Sequence, residues 1–157
     1  MQEGEINLDK KNLKKTVSLF IVGVILSIGI LPVFAYTTYD SPYGYYGPVF
    51  GKYYQNQSYV IDWGGSTGVA GGARVETQNG VGVPTGYMGV NAWLYKDDVL
   101  VDSSGWNYNT ETTYLIAGTT TPPYTSSGEY YADGQTRAYN GNGYDTYGVF
   151  SSPILDY

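Results

Sequence analysis

Three aromatic residues on one short segment are spaced so that they could bind a ligand. Tyr87, Trp93 and Tyr95 belong to the stretch YMGVNAWLYK, residues 87–96, in which small apolar and larger side chains alternate. Alternate residues of a β-strand point to the same side of a sheet, about 7 Å apart, so the pattern directs all three rings to one face. Flat rings at this spacing suit stacking on sugars, and we predict that Tyr87, Trp93 and Tyr95 form a ligand-binding surface. The alternative is a face covered by other parts of the chain, because sandwich cores often use aromatic rings.

Catalytic chemistry is restricted by two missing residue types. The sequence has no cysteine and no histidine, which excludes disulfides, a thiol nucleophile and the imidazole that most often serves as general base or zinc ligand. Glu76, Glu111 and Glu129 could supply the carboxylate pair of a glycosidase. Their positions along the chain, however, do not place any two of them across a cleft. We therefore predict that the chain is not an enzyme and that it uses no cofactor.

Acidic residues also occur near two predicted turns. Asp97, Asp98 and Asp102 flank a hairpin, and NGNGYD at residues 140–145 superficially resembles a calcium-binding loop. Neither has the alternating acidic positions and the closing glutamate of the helix-flanked calcium loop. We predict a solvated hairpin tip and a glycine-rich turn there, with no metal site.

Arginine and tryptophan are scarce enough for each position to be informative. Arg74 and Arg137 each lie in an alternating segment, where we expect them to hold a carboxylate of the chain or to stack on tyrosine. Recognition of a ligand carboxylate is the alternative for both. Trp63 and Trp106 fall at the ends of predicted strands, where we expect them to cover the sheet edge.

The amino-terminal segment has the order of a secretory signal peptide. A basic run, KKNLKK at residues 10–15, precedes an apolar run of 15 residues at 17–31 and the small-residue positions Val33 and Ala35. As a helix the apolar run would span about 22 Å, less than the roughly 30 Å of a bilayer's hydrocarbon core. We predict that residues 1–35 are a signal peptide cleaved after Ala35 and that the protein is secreted. An uncleaved membrane anchor is the alternative.

The remaining residues, 36–157, are strongly acidic. They hold four basic side chains against eleven acidic ones, which gives a formal charge of −7. A surface of this charge repels phosphate backbones and anionic lipids. We therefore predict no nucleic-acid partner, and contact with the membrane only through the signal peptide before cleavage. The expected partner is a glycan or a protein of the cell envelope.

The pattern of residues 36–157 predicts an all-β fold. Residues 36–57 mix tyrosine, glycine and proline without a period and are expected to form an extended arm with at most one edge strand, near residues 49–54, whereas 58–157 shows about eight or nine strand-like runs with frequent turn signals. No segment has a helical period. These features predict an antiparallel β-sandwich, immunoglobulin-like or jelly-roll-like, over residues 58–157, with a small closed β-barrel as the alternative.

Two finer expectations concern the strands themselves. The alternation in residues 87–96 assigns the core face to four residues: Met88, Val90, Ala92 and Leu94. The tyrosine- and glycine-rich stretch at 130–153 is expected to be a meander of three short strands. Its turns would need a positive φ at Gly134, Gly141 and Gly143.

That last stretch, together with GGARVET and GYMGVNAWLYKDDVLVDSSGW, resembles small tyrosine- and glycine-rich secreted proteins of Gram-positive bacteria whose role is not assigned. The resemblance covers most of residues 69–157. It implies a β-sandwich and an extracellular location. It transfers no functional residue, because it consists of glycine and tyrosine positions.

The sequence as a whole favours a secreted, non-enzymatic protein that binds a partner at the cell envelope or outside the cell through its tyrosine-rich surface. Tyrosine offers a large contact area and a polar hydroxyl at a small entropic cost. Three other roles stay open: a bacteriocin-like toxin, a structural component that assembles through sheet edges, and a histidine-free enzyme acting on glycans.

Overall fold

The computed structural model describes residues 36–120 and 123–157. The predicted signal peptide, residues 1–35, lies outside the described residues. Within them, strands and loops form two antiparallel sheets, and there is no helix. The two sheets stay separate and pack face to face, so the prediction of an all-β sandwich is confirmed and the alternative of a closed barrel is not observed.

Among residues 36–120 and 123–157, eleven strands build the two sheets. In chain order they are β1 (Thr37–Asp40), β2 (Gly44–Val49), β3 (Lys52–Asp62), β4 (Val69–Thr77), β5 (Met88–Lys96), β6 (Val99–Ser103), β7 (Asn107–Tyr108), β8 (Leu115–Thr119), β9 (Glu129–Tyr139), β10 (Tyr144–Gly148) and β11 (Leu155–Asp156). The five-stranded sheet has the order β1-β3-β4-β8, with β2 also paired to β3. The six-stranded sheet has the order β10-β9-β5-β6, with β11 on β9 and β7 on β5.

Residues 36–57 are built into the five-stranded sheet instead of forming a separate arm. Both β1 and β2 pair with β3, and β3 itself already begins at Lys52. The pairing of β2 with β3 shifts register between Tyr46 and Val49, around Gly47 and Pro48, and this irregularity hides the strand pattern in the sequence. The sandwich therefore starts about twenty residues before the predicted boundary at 57/58.

The stretch at 130–153 also differs from the expected three-strand meander. Gly134 does not turn the chain but lies in the middle of the continuous strand β9, opposite Ala92 of β5. A Cβ at this position would come within 2.3 Å of the Asn91 carbonyl oxygen, so glycine is needed here for the close approach of two backbones. The turn after β9 does use positive φ, 98° at Gly141 and 155° at Gly143, as predicted.

The core lies between the sheets, and the predicted core face of β5 is confirmed. Its four side chains are fully buried: Met88, Val90, Ala92 and Leu94. Leu94 packs with Val60 of β3 and Tyr130 of β9, which joins the two sheets. A polar link crosses the same interior, since Asn56 Nδ2 donates a 2.8 Å hydrogen bond to Thr136 Oγ1. Because alternate residues of β5 are buried in this core, the residues between them must point away from it.

Candidate functional site

The outer face of the six-stranded sheet carries the predicted site residues. Its members alternate with the buried residues of β5 and β9, and pairing between these strands places them in rows across the sheet. On β5 the outward residues are Gly89, Asn91, Trp93 and Tyr95. On β9 they are Tyr131, Asp133, Gln135, Arg137 and Tyr139. We use the term outer face for this surface.

One end of the outer face is an aromatic group that we call the Tyr95 cluster, formed by Trp93, Tyr95 and Tyr131. Tyr95 lies opposite Tyr131, and their rings are parallel with centroids 4.9 Å apart. Trp93 is in the adjacent row, between Asp133 of β9 and Ser103 of β6. All three rings are half-buried. A tryptophan thus lies next to two stacked, parallel phenol rings on the outer face of the sheet.

A second group, the Arg137 cluster, lies farther along the same strands and consists of Arg137, Trp106, Tyr108 and Tyr144. Gly89 separates Arg137 from Tyr108 in the pairing, and a Cβ at Gly89 would come within 2.7 Å of the Tyr108 ring. The guanidinium of Arg137 therefore reaches across this glycine. Its Cζ lies 3.8 Å from the centre of the Trp106 ring, and its Nη1 donates a 2.8 Å hydrogen bond to the Tyr108 hydroxyl.

Tyr87 is separated from the other two predicted site residues. Its ring contacts Tyr139 at 4.7 Å and Phe50 at 6.2 Å, at the rim of the sandwich, and it packs partly against the core. Tyr87 and Trp93 are six positions apart along the chain, which corresponds to about 20 Å of strand. The structure thus brings Trp93 and Tyr95 together and places Tyr87 beside the Arg137 cluster, to which Tyr144 connects it through Tyr139.

Uncharged polar groups occupy the outer face between the clusters. Asn91 and Gln135 lie opposite each other, and the Asn91 Oδ1 accepts a 2.8 Å hydrogen bond from Ser103 Oγ. Desolvation raises the pKa of the Tyr131 and Tyr144 hydroxyls, and Asp98 raises that of Tyr131 further, so these two phenols are neutral around physiological pH. Hydroxyl and amide groups capable of both donating and accepting therefore line the path from one cluster to the other.

The five-stranded sheet carries a concave site on its own outward side. A cavity of about 380 Å³ is lined there by seven residues: Tyr36, Thr38, Asp40, Tyr59, Ile61, Trp63 and Arg74. We call it the Arg74 pocket. The rings of Tyr36 and Trp63 lie 5.4 Å apart, and Arg74 lies 5.9 Å from the centre of the Tyr59 ring.

The carboxylates considered for catalysis do not meet. Glu76 is on β4 and accepts a 2.7 Å hydrogen bond from Gln55, whereas Glu129 begins β9 in the other sheet. Glu111 lies in the loop that follows β7, against a polar cavity of about 320 Å³. Across residues 36–120 and 123–157, no three acidic side chains are grouped so that they could hold a metal ion.

Sequence reasoning missed the partners of the predicted rings. Alternation in β5 indicates which way Trp93 points, but only strand pairing shows that Tyr131 stacks beside Tyr95. Trp106 covers Arg137 and Trp63 lines a pocket, so neither serves only as an edge cover. The alternation of β3 contains a signal for the pocket, because Tyr59 and Ile61 flank the core residue Val60.

No known protein family, curated protein or solved structure matches this chain. The described part of the chain also contains no helix with the length and hydrophobicity needed to cross a membrane.

Proposed function

We propose that this chain is a secreted, non-enzymatic protein that binds an extended, uncharged carbohydrate at the cell envelope or outside the cell. The binding surface is the outer face of the six-stranded sheet. The observation that carries the proposal is the Tyr95 cluster, in which Trp93 lies beside the stacked rings of Tyr95 and Tyr131 on an exposed face. Aromatic rings offer apolar surface to the C–H faces of sugars, and the phenol hydroxyls can bond to sugar hydroxyls.

The shape of the outer face favours a chain over a single sugar. Along β5, Tyr95 is six residues, about 20 Å, from Gly89, the position opposite Arg137, and the pair of Asn91 and Gln135 lies between them. A linear polysaccharide could stack on both clusters and bond to the amides in the middle. A single sugar could use only one cluster, so we expect affinity to increase with chain length.

Charge favours an uncharged ligand. The formal charge of −7 over residues 36–157 repels a polyanion. Arg137, the only cation on β9, is already engaged with Trp106 and Tyr108. An acidic polymer would therefore lose more by repulsion from the whole surface than it could gain from this one arginine.

Tryptophan fluorescence can test the proposal, because all three tryptophans lie in described and distinct places. A variant with Trp63→Phe and Trp106→Phe retains Trp93 as the only reporter on the outer face. Titration with neutral linear oligosaccharides of increasing length should change its emission, with dissociation constants in the micromolar to millimolar range. Tyr95→Ala in this background should weaken binding several-fold, since one stacking contact contributes about 0.5–1.5 kcal/mol.

Tyr45→Ala is the matched control. Tyr45 is 68% exposed on β2 of the other sheet, so its removal deletes an equal ring without touching the outer face. The proposal would be contradicted if the protein is folded but no oligosaccharide changes the Trp93 emission. It would also be contradicted if the emission changes equally with and without the Tyr95 ring.

Assembly through a sheet edge is the second candidate, and one observation favours it. β6 ends the six-stranded sheet, and its Val99 and Leu100 are 62% and 50% exposed. An apolar edge strand can pair with a second copy. Growth of light scattering with concentration, abolished by Val99→Lys, would support this role.

A further inference from the structure

The Arg74 pocket combines aromatic walls with charged groups of both signs. Arg74 Nη2 donates a 3.0 Å hydrogen bond to the Tyr43 hydroxyl and another to Gln57 Oε1, and it lies 4.0 Å from Asp40 Oδ1. These contacts fix the guanidinium in one orientation. Rigid support of this kind is what a binding site needs for its polar groups.

The Tyr59 ring, at the base of the pocket, is also held in place by its surroundings. Gly72 of β4 lies beneath the Tyr59 ring, and a Cβ at Gly72 would come within 2.2 Å of that ring. Tyr59 is only 9% exposed, and desolvation raises the pKa of its hydroxyl. The ring is therefore held flat against the sheet as a neutral surface at the base of the pocket.

Two donors of the pocket residues are buried without a partner among the described residues: Trp63 Nε1 and Arg74 Nε. A buried N–H without an acceptor costs about 1–3 kcal/mol. A small shift of either side chain that lets a ligand oxygen reach its N–H would remove that cost on binding. Both donors belong to residues that line the cavity.

The charge of the pocket selects the type of acceptor. In the full chain, where the Tyr36 nitrogen is an uncharged peptide group, Asp40 balances Arg74, so an incoming carboxylate would approach Asp40 as well as the guanidinium. A hydroxyl suits both partners, since its oxygen accepts from Arg74 and its proton is donated to Asp40. A cavity of about 380 Å³ lies at the small end of the range of about 300–1,000 Å³ for small-molecule sites.

We propose that the Arg74 pocket binds one uncharged sugar unit, with its ring against Tyr59 and the Tyr36–Trp63 pair and its hydroxyls bonded to Arg74, Trp63 Nε1 and Asp40. This is a site distinct from the outer face, on the other sheet of the sandwich. It deepens the proposed function by adding recognition of a single sugar, such as a chain end. A protein with both sites would link two parts of a carbohydrate network.

The reporter for this site is Trp63. In the full chain with Trp93→Phe and Trp106→Phe, the emission of Trp63 should change and saturate on addition of the methyl glycosides of glucose, galactose, mannose or N-acetylglucosamine. At least one of the four should bind with a dissociation constant of about 1 mM or below, and lengthening it to an oligosaccharide should improve affinity less than threefold. The methyl glycoside of glucuronic acid should bind more weakly than its neutral counterpart.

Two substitutions test the polar contacts. Arg74→Lys keeps the charge but loses the planar donor group, and it should weaken binding about tenfold. Asp40→Asn should weaken it several-fold, whereas Asp156→Asn on the exposed edge of β11 should have no effect. Unfolding midpoints of each variant verify that the fold is retained; Asp40 is 39% exposed, so its substitution spares the core.

Each outcome has one meaning. The proposed pocket is wrong if none of the four neutral glycosides changes the Trp63 emission. It is also wrong if the glucuronoside binds more tightly than its neutral counterpart, or if Asp40→Asn and Arg74→Lys both leave the affinity for the neutral glycoside unchanged. Binding at the outer face is measured separately by the emission of Trp93 in the variant with Trp63→Phe and Trp106→Phe. Failure at Trp63 with a response at Trp93 removes the pocket alone, and the reverse removes the outer face alone.

Discussion

The ring of Tyr131 lies parallel to the ring of Tyr95 on the neighbouring strand, with centroids 4.9 Å apart. Each ring thereby fixes the other and keeps one face and one edge for further contacts. Trp93 extends the same surface by one row. The cross-strand pair thus acts as a rigid support for the predicted ligand-binding residues.

Tyr131→Ala should weaken carbohydrate binding although Tyr131 need not contact the sugar itself. Loss of the stack frees the Tyr95 side chain, so binding must then restrict it again. We expect a several-fold higher dissociation constant for neutral oligosaccharides and a loss of about 0.5–1.5 kcal/mol in the free energy of unfolding. Tyr131→Phe keeps the ring and should restore both values; equal losses in the two variants would contradict the role of the stack.

Leu94→Ala should destabilise the fold more than Tyr95→Ala. Leu94 is fully buried between Val60 and Tyr130, whereas the adjacent Tyr95 is half-buried on the outer face. Truncation of a core leucine costs about 2–5 kcal/mol. Denaturant titration of both variants measures the difference, and equal losses would mean that the outer face is covered.

The orientation of β5 could be predicted from its sequence because one face of the strand is apolar and must be buried, which fixes the residues that point inward. A slip of one residue would expose Leu94 and bury Trp93. Residues 36–57 could not be assigned in the same way. Tyr39 and Tyr46 pack inward while Tyr45 is exposed, so the same residue type occupies both faces and the alternation is lost.

The candidate sites were predictable only in part, for a related reason. Each site combines residues from different strands. The Tyr95 cluster depends on the pairing of β5 with β9, and the Arg74 pocket depends on the pairing of β1 with β3. Trp93 and Tyr95 follow from one segment, but Tyr131 requires the pairing of β5 with β9. The sequence predicts that Arg74 holds a carboxylate of the chain or stacks on tyrosine, and it does both, with Asp40 and Tyr43.

Gly134→Ala should destabilise the sandwich, in contrast to Gly148→Ala. A Cβ at Gly134 would lie 2.3 Å from a backbone oxygen of β5, which cannot move without disturbing the strand pair. Gly148 has open space at the same point. We expect a cost of about 1–3 kcal/mol for the first change, as for other overpacked sites, and little for the second. Thermal unfolding compares them, and similar midpoints would exclude the close approach as the reason for glycine.

Secretion should produce a protein that begins at Tyr36. Residues 10–35 have a basic, an apolar and a small-residue part in the order that signal peptidase substrates share. Mass spectrometry of the protein in the culture medium of its host should give the mass of residues 36–157. Intact protein found only in membranes would show that the apolar run acts as an anchor.

Stability should fall as the pH rises above about 10, the ordinary pKa of tyrosine. Desolvation raises the pKa of Tyr46, Tyr54 and Tyr59 in the folded protein, so above pH 10 the unfolded chain loses protons that the folded one keeps. The stabilisation is fully present below that pH and is lost as the pH rises towards the folded-state pKa values. Unfolding midpoints measured across this range should decrease, less steeply in Tyr46→Phe, while Tyr45→Phe at an exposed position should follow the parent protein. Identical slopes in all three proteins would show that burial of the Tyr46 hydroxyl does not control the alkaline transition.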